Sequence, residues 1–273
     1  MLAKKIMRNP QAVVGLILIL LIFLMAVLAP ILAPNDPNEV DITRKFLRAS
    51  SEYPLGTDQL GRCVLTRLLY GARCSLCLAV PILVILASVG TFLGMMGAWI
   101  GGLFDRILSI VCDIFMAFPP LVVVLALVGM LGQGAVNLVI SIIFSMWVWF
   151  VKVIRSYVLM EKSKDYVLAS KIAGCSSAKI LMGHILPNIF PFMIVYFSTS
   201  ISSIILMISG YSFLGLGLGN DTAERGAMLN SAKQYLYSNP NLIVYPGICI
   251  LLTTAGFNLF GEALRDIFSL EED

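Results

Sequence analysis

Four stretches of this chain contain no charged residue at all: Asn9–Asn35, Cys74–Phe104, Ile185–Asn220 and Gln234–Gly261. A fifth, Ile107–Val151, contains only Asp113, and Gly132-Gln133-Gly134 divides it in two. A helix needs about 20 apolar residues to cross the hydrocarbon core of a bilayer. The runs are continuous rather than alternating in polarity, so they read as helices and not as the strands of a membrane barrel. The expected fold class is an all-α polytopic membrane protein with six spanning helices, near 12–33, 76–101, 107–131, 136–155, 189–213 and 243–264. Composition agrees: 59% of residues are hydrophobic and 13% charged, against about 25% charged in a soluble domain.

Orientation follows from Lys and Arg. Lys4, Lys5 and Arg8 precede the first run without an acid, which places residues 1–11 in the cytoplasm. The run at 12–33 reads as a retained helix, because its apolar part is about twice the roughly 7–15 residues of a signal-peptide core. Six crossings then place 156–187 and the tail 265–273 in the cytoplasm, and 34–75 and 214–242 outside. The outer position of 34–75 rests on span parity, since that segment carries six Lys/Arg of its own. Within it, Cys63–Ser75 alternates Val64, Leu65, Leu68 and Leu69 with Arg67 and Arg73, the pattern of an amphipathic helix lying at the outer interface before it turns into the second span. Asp221–Pro240 is polar and too short for a domain, which fits an interfacial or re-entrant hairpin.

Inside the spans three features stand out. Gly90-x-x-x-Gly94 and Gly97-x-x-x-Gly101 allow close helix approach, within the chain or between chains. Asp113 is an intramembrane carboxylate, expected either to pair with Arg106 or to belong to a pathway or gate together with Phe118 and Pro119. Pro119-Pro120 should kink or break its helix. Six cysteines, thirteen methionines and the single His184 read as packing residues. No G-x-x-x-x-G-K-[ST] loop, no nucleophile–base set and no basic patch of the nucleic-acid type occurs, and the C-x-x-C of Cys74 and Cys77 lacks the second pair a zinc site needs. The chain reads as a non-enzyme without a cofactor of its own; if ATP drives it, another chain binds the ATP.

Lys152–His184 is the long polar stretch between two runs, with six Lys/Arg against Glu161 and Asp165. Asp165–Ala173 is compatible with a helix, Gly174 ends it, and Ser176 caps a second short helix, Ser177–Ile185. Pro187 and Pro191 restart the chain into the fifth span. The expected object is a knob of two short helices on a glycine hinge, with small Ala169 and Ser170 open to another surface. On these residues alone, an ion-driven carrier built around Asp113 and a purely structural membrane subunit remain alternatives.

Leu168-Ala169-Ser170, three residues, Gly174, nine residues and His184-Ile185-Leu186-Pro187 resemble the E-A-A-x-x-x-G-x9-I-x-L-P signature of permease subunits of binding-protein-dependent ABC importers. Leu168 replaces the Glu and His184 the Ile, with the spacing intact. Asn9-Pro10, Tyr53–Arg62, Arg67–Leu76, Phe118-Pro119, Ser212–Gly217 and Phe257–Asp266 are similar to the C-type subunit of the oligopeptide/dipeptide/nickel family, so the resemblance covers nearly the whole chain. It implies a type I importer (MetI-like) permease domain over 76–265 in a bacterial inner membrane. It implies a homologous second permease chain as heterodimer partner, two ATPase subunits that hold ATP and Mg, an extracytoplasmic substrate-binding protein, and bilayer lipid around the spans. The coupling contact it implies comprises Asp165, Tyr166, Leu168, Ala169, Ser170, Ala173, Gly174, Leu186 and Pro187. Val167–Ser170, Ser145–Trp149 and Thr222–Tyr235 look like the nickel branch, which implies nickel or a metal chelate as cargo, with a di- or oligopeptide as the alternative.

Overall fold

The computed structural model describes residues 2–219 and 221–269. Met1 and residues 270–273 of the expected tails, and Asn220 of the expected hairpin, lie outside the described residues.

A short helix α1 (Leu2–Arg8) leads into α2 (Pro10–Leu32). Asn9 caps α2, its side chain accepting from the Gln11 and Ala12 amides, and Pro10 takes the first helical position, where no N–H is needed. Only Ala12, Gly15, Ile22, Ala26 and Ala29 of α2 are buried, the small residues giving it a narrow seam against the rest of the chain. Leu16, Ile17, Leu20, Leu21, Phe23 and Leu24 are exposed on the other side, as a lipid-facing helix requires.

The second span differs from the sequence expectation. No interfacial helix turns into it: α3 runs unbroken from Val64 to Ile100, 37 residues, through Pro81. Of the two cations that read as interfacial, Arg73 is exposed but Arg67 is covered by protein. Arg67 is 1% exposed and donates from Nη1 to the Pro37 carbonyl at 3.0 Å and from Nη2 to the Thr222 carbonyl at 3.1 Å. An arginine whose fork is met by backbone carbonyls has no need of the membrane surface.

The third span is a bent pair, α4 (Gly102–Met116) and α5 (Pro120–Leu131), meeting at 81° across Ala117–Pro119. Pro119 and Pro120 supply no N–H groups for a continuing ladder, so the helix stops and restarts. A long α6 (Ala135–Lys162) follows, then α7 (Asp165–Ile172) and α8 (Ser177–Ile180). A π turn, Leu181–Ile185, joins α8 directly to α9 (Leu186–Phe213). The expected second short helix ending at Ile185 is therefore the first part of the fifth span, and Pro187 and Pro191 do not restart the chain. The π turn sets the ladder one residue wider, with the Leu186 amide reaching the Leu181 carbonyl, just where Pro187 lacks a donor.

Residues 214–242, expected as an interfacial or re-entrant hairpin, carry buried charge. They form α10 (Arg225–Ala232) and a tight 3-10 turn, Lys233–Tyr235, before α11 (Asn241–Ser269). Glu224, Arg225, Gly226 and Ala227 are buried. Glu224 accepts from the Ser209 hydroxyl and the Ala227 amide, and Arg225 Nη1 donates to Thr253 Oγ1 at 2.7 Å. Residues 33–63 pack over the same end of the bundle. Asp58 folds them back on themselves by accepting from the Leu60 and Arg62 amides and from Arg62 Nε. Together these two segments make a cap.

The core lies where α3, α5, α6 and α9 meet: Ile82, Leu86, Val124, Leu138, Ile142, Phe150, Ile204 and Ile208 are all fully buried. Gly90 and Gly94 serve this packing within the chain. A Cβ on Gly90 would lie 2.5 Å from Phe150 Cβ, and one on Gly94 would lie 2.9 Å from the Val151 carbonyl oxygen. The small-residue seam of α3 is thus filled by α6.

Candidate functional site: a two-helix knob braced from behind

The knob is built at the end of the bundle opposite the cap. Helix α7 ends in a Schellman motif: the Gly174 amide bonds the Lys171 carbonyl, and the Cys175 amide bonds the Ser170 carbonyl. The motif needs a left-handed residue, and Gly174 takes φ +77. Ser176 then caps α8, its Oγ accepting from the Lys179 amide.

One face of α7 is rooted. Val167 is buried among Met95, Ile154, Val158, Ile180, Ile185 and Ile189. Tyr166 is half-buried; its hydroxyl donates to Glu161 Oε2 at 2.6 Å, and its ring meets the His184 ring edge-on. Burial, and then the bond to Glu161, pushes the Tyr166 hydroxyl up to about 12, so the group remains a donor throughout the physiological range. Ser170 donates back to the Tyr166 carbonyl. The opposite face is free of the bundle: Asp165, Leu168, Ala169, Ala173 and Gly174 are exposed, and Ile172 is 80% exposed. The structure thus brings most of the expected coupling residues onto one projecting surface. Leu186 is different, because it packs into the apolar cluster under the knob, while Pro187 is exposed at the start of α9.

Two cations lock the root. Lys162 Nζ donates to the Ala98 and Trp99 carbonyls at 2.6 and 2.8 Å, capping the C-terminus of α3 with a positive charge. Lys171 of α7 lies over the Trp99 ring, 5.0 Å from its centroid.

Glu161 is the residue that sequence reasoning missed. It enters the charge count of the polar stretch as one of two acids, yet it is 1% exposed. Besides Tyr166, it accepts from Lys164 Nζ at 2.5 Å and from Asn188 Nδ2 at 3.5 Å. Its signal was helical register: Ile154, Val158 and Glu161 share one stripe of α6, and the first two are fully buried.

The pathway candidates lie elsewhere, on the bent pair. Asp113 does not pair with Arg106. Its Oδ1 meets Lys152 Nζ of α6 at 2.8 Å, because α4 crosses α6 on that side and brings Lys152 within reach. Phe118 and Pro119 sit exposed at the 81° break. Ile107, Ile110 and Ile114 line one outward stripe of α4, which exposed Phe118 continues at the break. Among the described residues no three His, Cys, Asp or Glu side chains gather as a metal-holding group.

Comparison with known proteins accords with this arrangement. Residues 90–270 match the family described as binding-protein-dependent transport system inner membrane component, and residues 2–49 match the N-terminal transmembrane domain of oligopeptide transport permease C. The chain is 34% identical to the nickel transport system permease protein NikC of Escherichia coli (strain K12), over 92% of its own length and 91% of the relative's. It is 37% identical to the metal-staphylopine import system permease protein CntC of Staphylococcus aureus (strain NCTC 8325 / PS 47), over 96% and 91%. It is 35% identical to the probable D,D-dipeptide transport system permease protein DdpC of Escherichia coli (strain K12), over 95% and 87%. All three relatives are named as permease proteins of transport or import systems. With its bent third span, continuous apolar helices and projecting knob, this chain belongs to the family of binding-protein-dependent ABC importer permeases, as a C-type subunit of the oligopeptide/dipeptide/nickel group.

Proposed function

We propose that this chain forms half of the translocation path for nickel or a metal chelate, in a heterodimer with a homologous permease chain. The observation that carries the mechanism is the asymmetry of α7, one face rooted through Val167 and Tyr166 and the other open at Leu168, Ala169, Ile172 and Ala173. The open face, with Asp165, Ser170 and Gly174, seats in a groove of one of two ATPase subunits. Those subunits hold ATP and Mg; this chain holds no cofactor. Closure of the ATPase pair displaces the knob, and the bundle rocks as a rigid body between inward-open and outward-open states. Both termini and the knob are cytoplasmic, and the cap faces the binding protein. The outward stripe of α4, with Asp113, Phe118 and Pro119 near the break, forms the wall towards the second permease and the path.

The cargo assignment rests on the relatives named for nickel and metal-staphylopine. A di- or oligopeptide is the second reading, favoured by the comparable identity to dipeptide permeases, such as 35% to that of Haemophilus influenzae. Titration of the cognate binding protein with Ni²⁺, with Ni²⁺-chelates and with dipeptides separates the two. Binding of nickel or its chelate, with no response to dipeptides, is the expected result. A peptide-only response overturns the metal reading.

A further inference from the structure

We propose that Glu161 is a positioning residue for energy coupling, the strut through which displacement of α7 reaches α6 and α9 together. The inference rests on the reading of α7 as the ATPase contact and adds a residue that touches no partner. Three chain segments converge on this one carboxylate. Glu161 itself ends α6, Tyr166 comes from α7, and Asn188 comes from the first turn of α9. The carboxylate's other oxygen accepts from Lys164, in the turn between α6 and α7. Its 1% exposure means that no water can substitute for a lost donor.

The alternatives for transmission are weaker. The covalent link from α6 to α7 is the two-residue turn Ser163-Lys164, which a small torsional change can absorb. The link from α7 to α9 passes through the Gly174 corner and the π turn, the two least regular points of this region. Val167 provides packing but no directional bond. A buried, charge-assisted bond to Tyr166 fixes both distance and direction, so a push on α7 moves α6 and α9 instead of bending the corner.

The test uses the complete reconstituted importer in proteoliposomes: both permeases, the ATPases and the cargo-loaded binding protein. Glu161→Gln keeps the shape but offers one acceptor where two are used, and directs an amide at either Lys164 or Tyr166. Its ratio of binding-protein-stimulated to basal ATP hydrolysis should fall about tenfold, the scale of one lost buried charged hydrogen bond. The ATPases should still co-purify at the wild-type ratio. Tyr166→Phe removes only the hydroxyl and should lower the same ratio to a similar degree. The double variant should be no worse than either single one, because both cut one strut. Lys164→Ala leaves the other oxygen of the buried carboxylate without its cation and should lower the ratio as well, to a similar degree.

A wild-type ratio in Glu161→Gln overturns the proposal, as does strict additivity with Tyr166→Phe. Loss of the ATPases from the Glu161→Gln complex also overturns it, since the residue would then only be holding the docking surface folded. If Glu161→Gln fails to insert, Tyr166→Phe carries the test, with an unchanged ratio counting against the strut. A wild-type complex without any stimulated hydrolysis is a separate result, and it would sink the importer reading itself.

Discussion

Arg155 of α6 and Asp105 of α4 form a two-pronged ion pair, Nε to Oδ1 at 2.5 Å and Nη2 to Oδ2 at 2.6 Å. Both side chains are less than a quarter exposed, at 24% and 17%. The planar guanidinium matches the carboxylate edge on, which a lysine cannot do. Arg155→Lys should therefore lower stability by about 1–2 kcal/mol and Asp105→Ala by about 2–3 kcal/mol, since the latter leaves a half-buried cation unpaired. Tm of the detergent-purified chain is the check. The double variant Asp105→Ala/Arg155→Leu should lose less than Asp105→Ala alone; a larger loss would show that the two side chains act separately.

At Gly90 the space is set by Phe150, whose Cβ lies 2.5 Å from where a side chain would begin. Gly90→Ala should cost about 1–3 kcal/mol by overpacking, and Gly90→Leu should prevent accumulation of the chain in the membrane. Gly129 has open space at the same position. Gly129→Ala should be tolerated, and equal yields for the Gly90 and Gly129 alanine variants would contradict the close α3–α6 contact.

The spans, the break at Pro119-Pro120 and the glycine end of α7 were legible because each depends on local chemistry: uninterrupted apolarity, missing N–H groups, and a left-handed corner. The charges are harder to place, because their partners lie far off along the chain. Arg67 reads as a membrane-surface charge because its acceptors, Pro37 and Thr222, lie far off in the chain. Asp113 meets Lys152 rather than Arg106, the partner that is one of its two expected roles, because nothing in the sequence signals that α4 crosses α6 there. Glu224 and Arg225 fall in a segment that reads as polar, and tertiary partners at Ser209 and Thr253 bury them. In the knob the open face was readable from small residues around Ala169. The brace behind it was not, because Glu161, Tyr166 and Asn188 meet only in three dimensions.

The cap offers a test of its own joints. Arg67 reaches the Pro37 and Thr222 carbonyls, and a Cβ on Gly226 would come within 2.0 Å of the Ser209 carbonyl oxygen. Arg67→Met keeps the bulk but leaves two carbonyls without donors, at about 1–3 kcal/mol each when buried. The segments 33–63 and 221–240 should then open ahead of the bundle. Limited trypsin digestion should cut Arg67→Met near Arg44–Arg48 several times faster than wild type, with the long helices still protected. Unchanged cleavage would show that the cap is held by its own internal bonds around Asp58.

Gly174 and Ala169 separate the shape of the knob from its docking. Gly174 has φ +77 and nothing within 4 Å of a built Cβ, so a substitution there meets only backbone strain. That strain is about 1–2 kcal/mol for most residues and less for Asn. Stimulated ATP hydrolysis should fall in the order wild type, Gly174→Asn, Gly174→Ala, Gly174→Pro, the proline being unable to adopt a positive φ at all. Ala169→Trp acts differently, because residue 169 is exposed and the bulk meets only a partner. It should leave insertion and Tm unchanged while lowering ATPase co-purification about tenfold or more, the equivalent of about 1.4 kcal/mol of lost contact. The two profiles are distinguishable in one preparation: a strained corner disturbs coupling with the ATPases still bound, whereas a blocked face removes them. Normal stimulation in both Gly174→Pro and Ala169→Trp would place the ATPase contact somewhere other than α7.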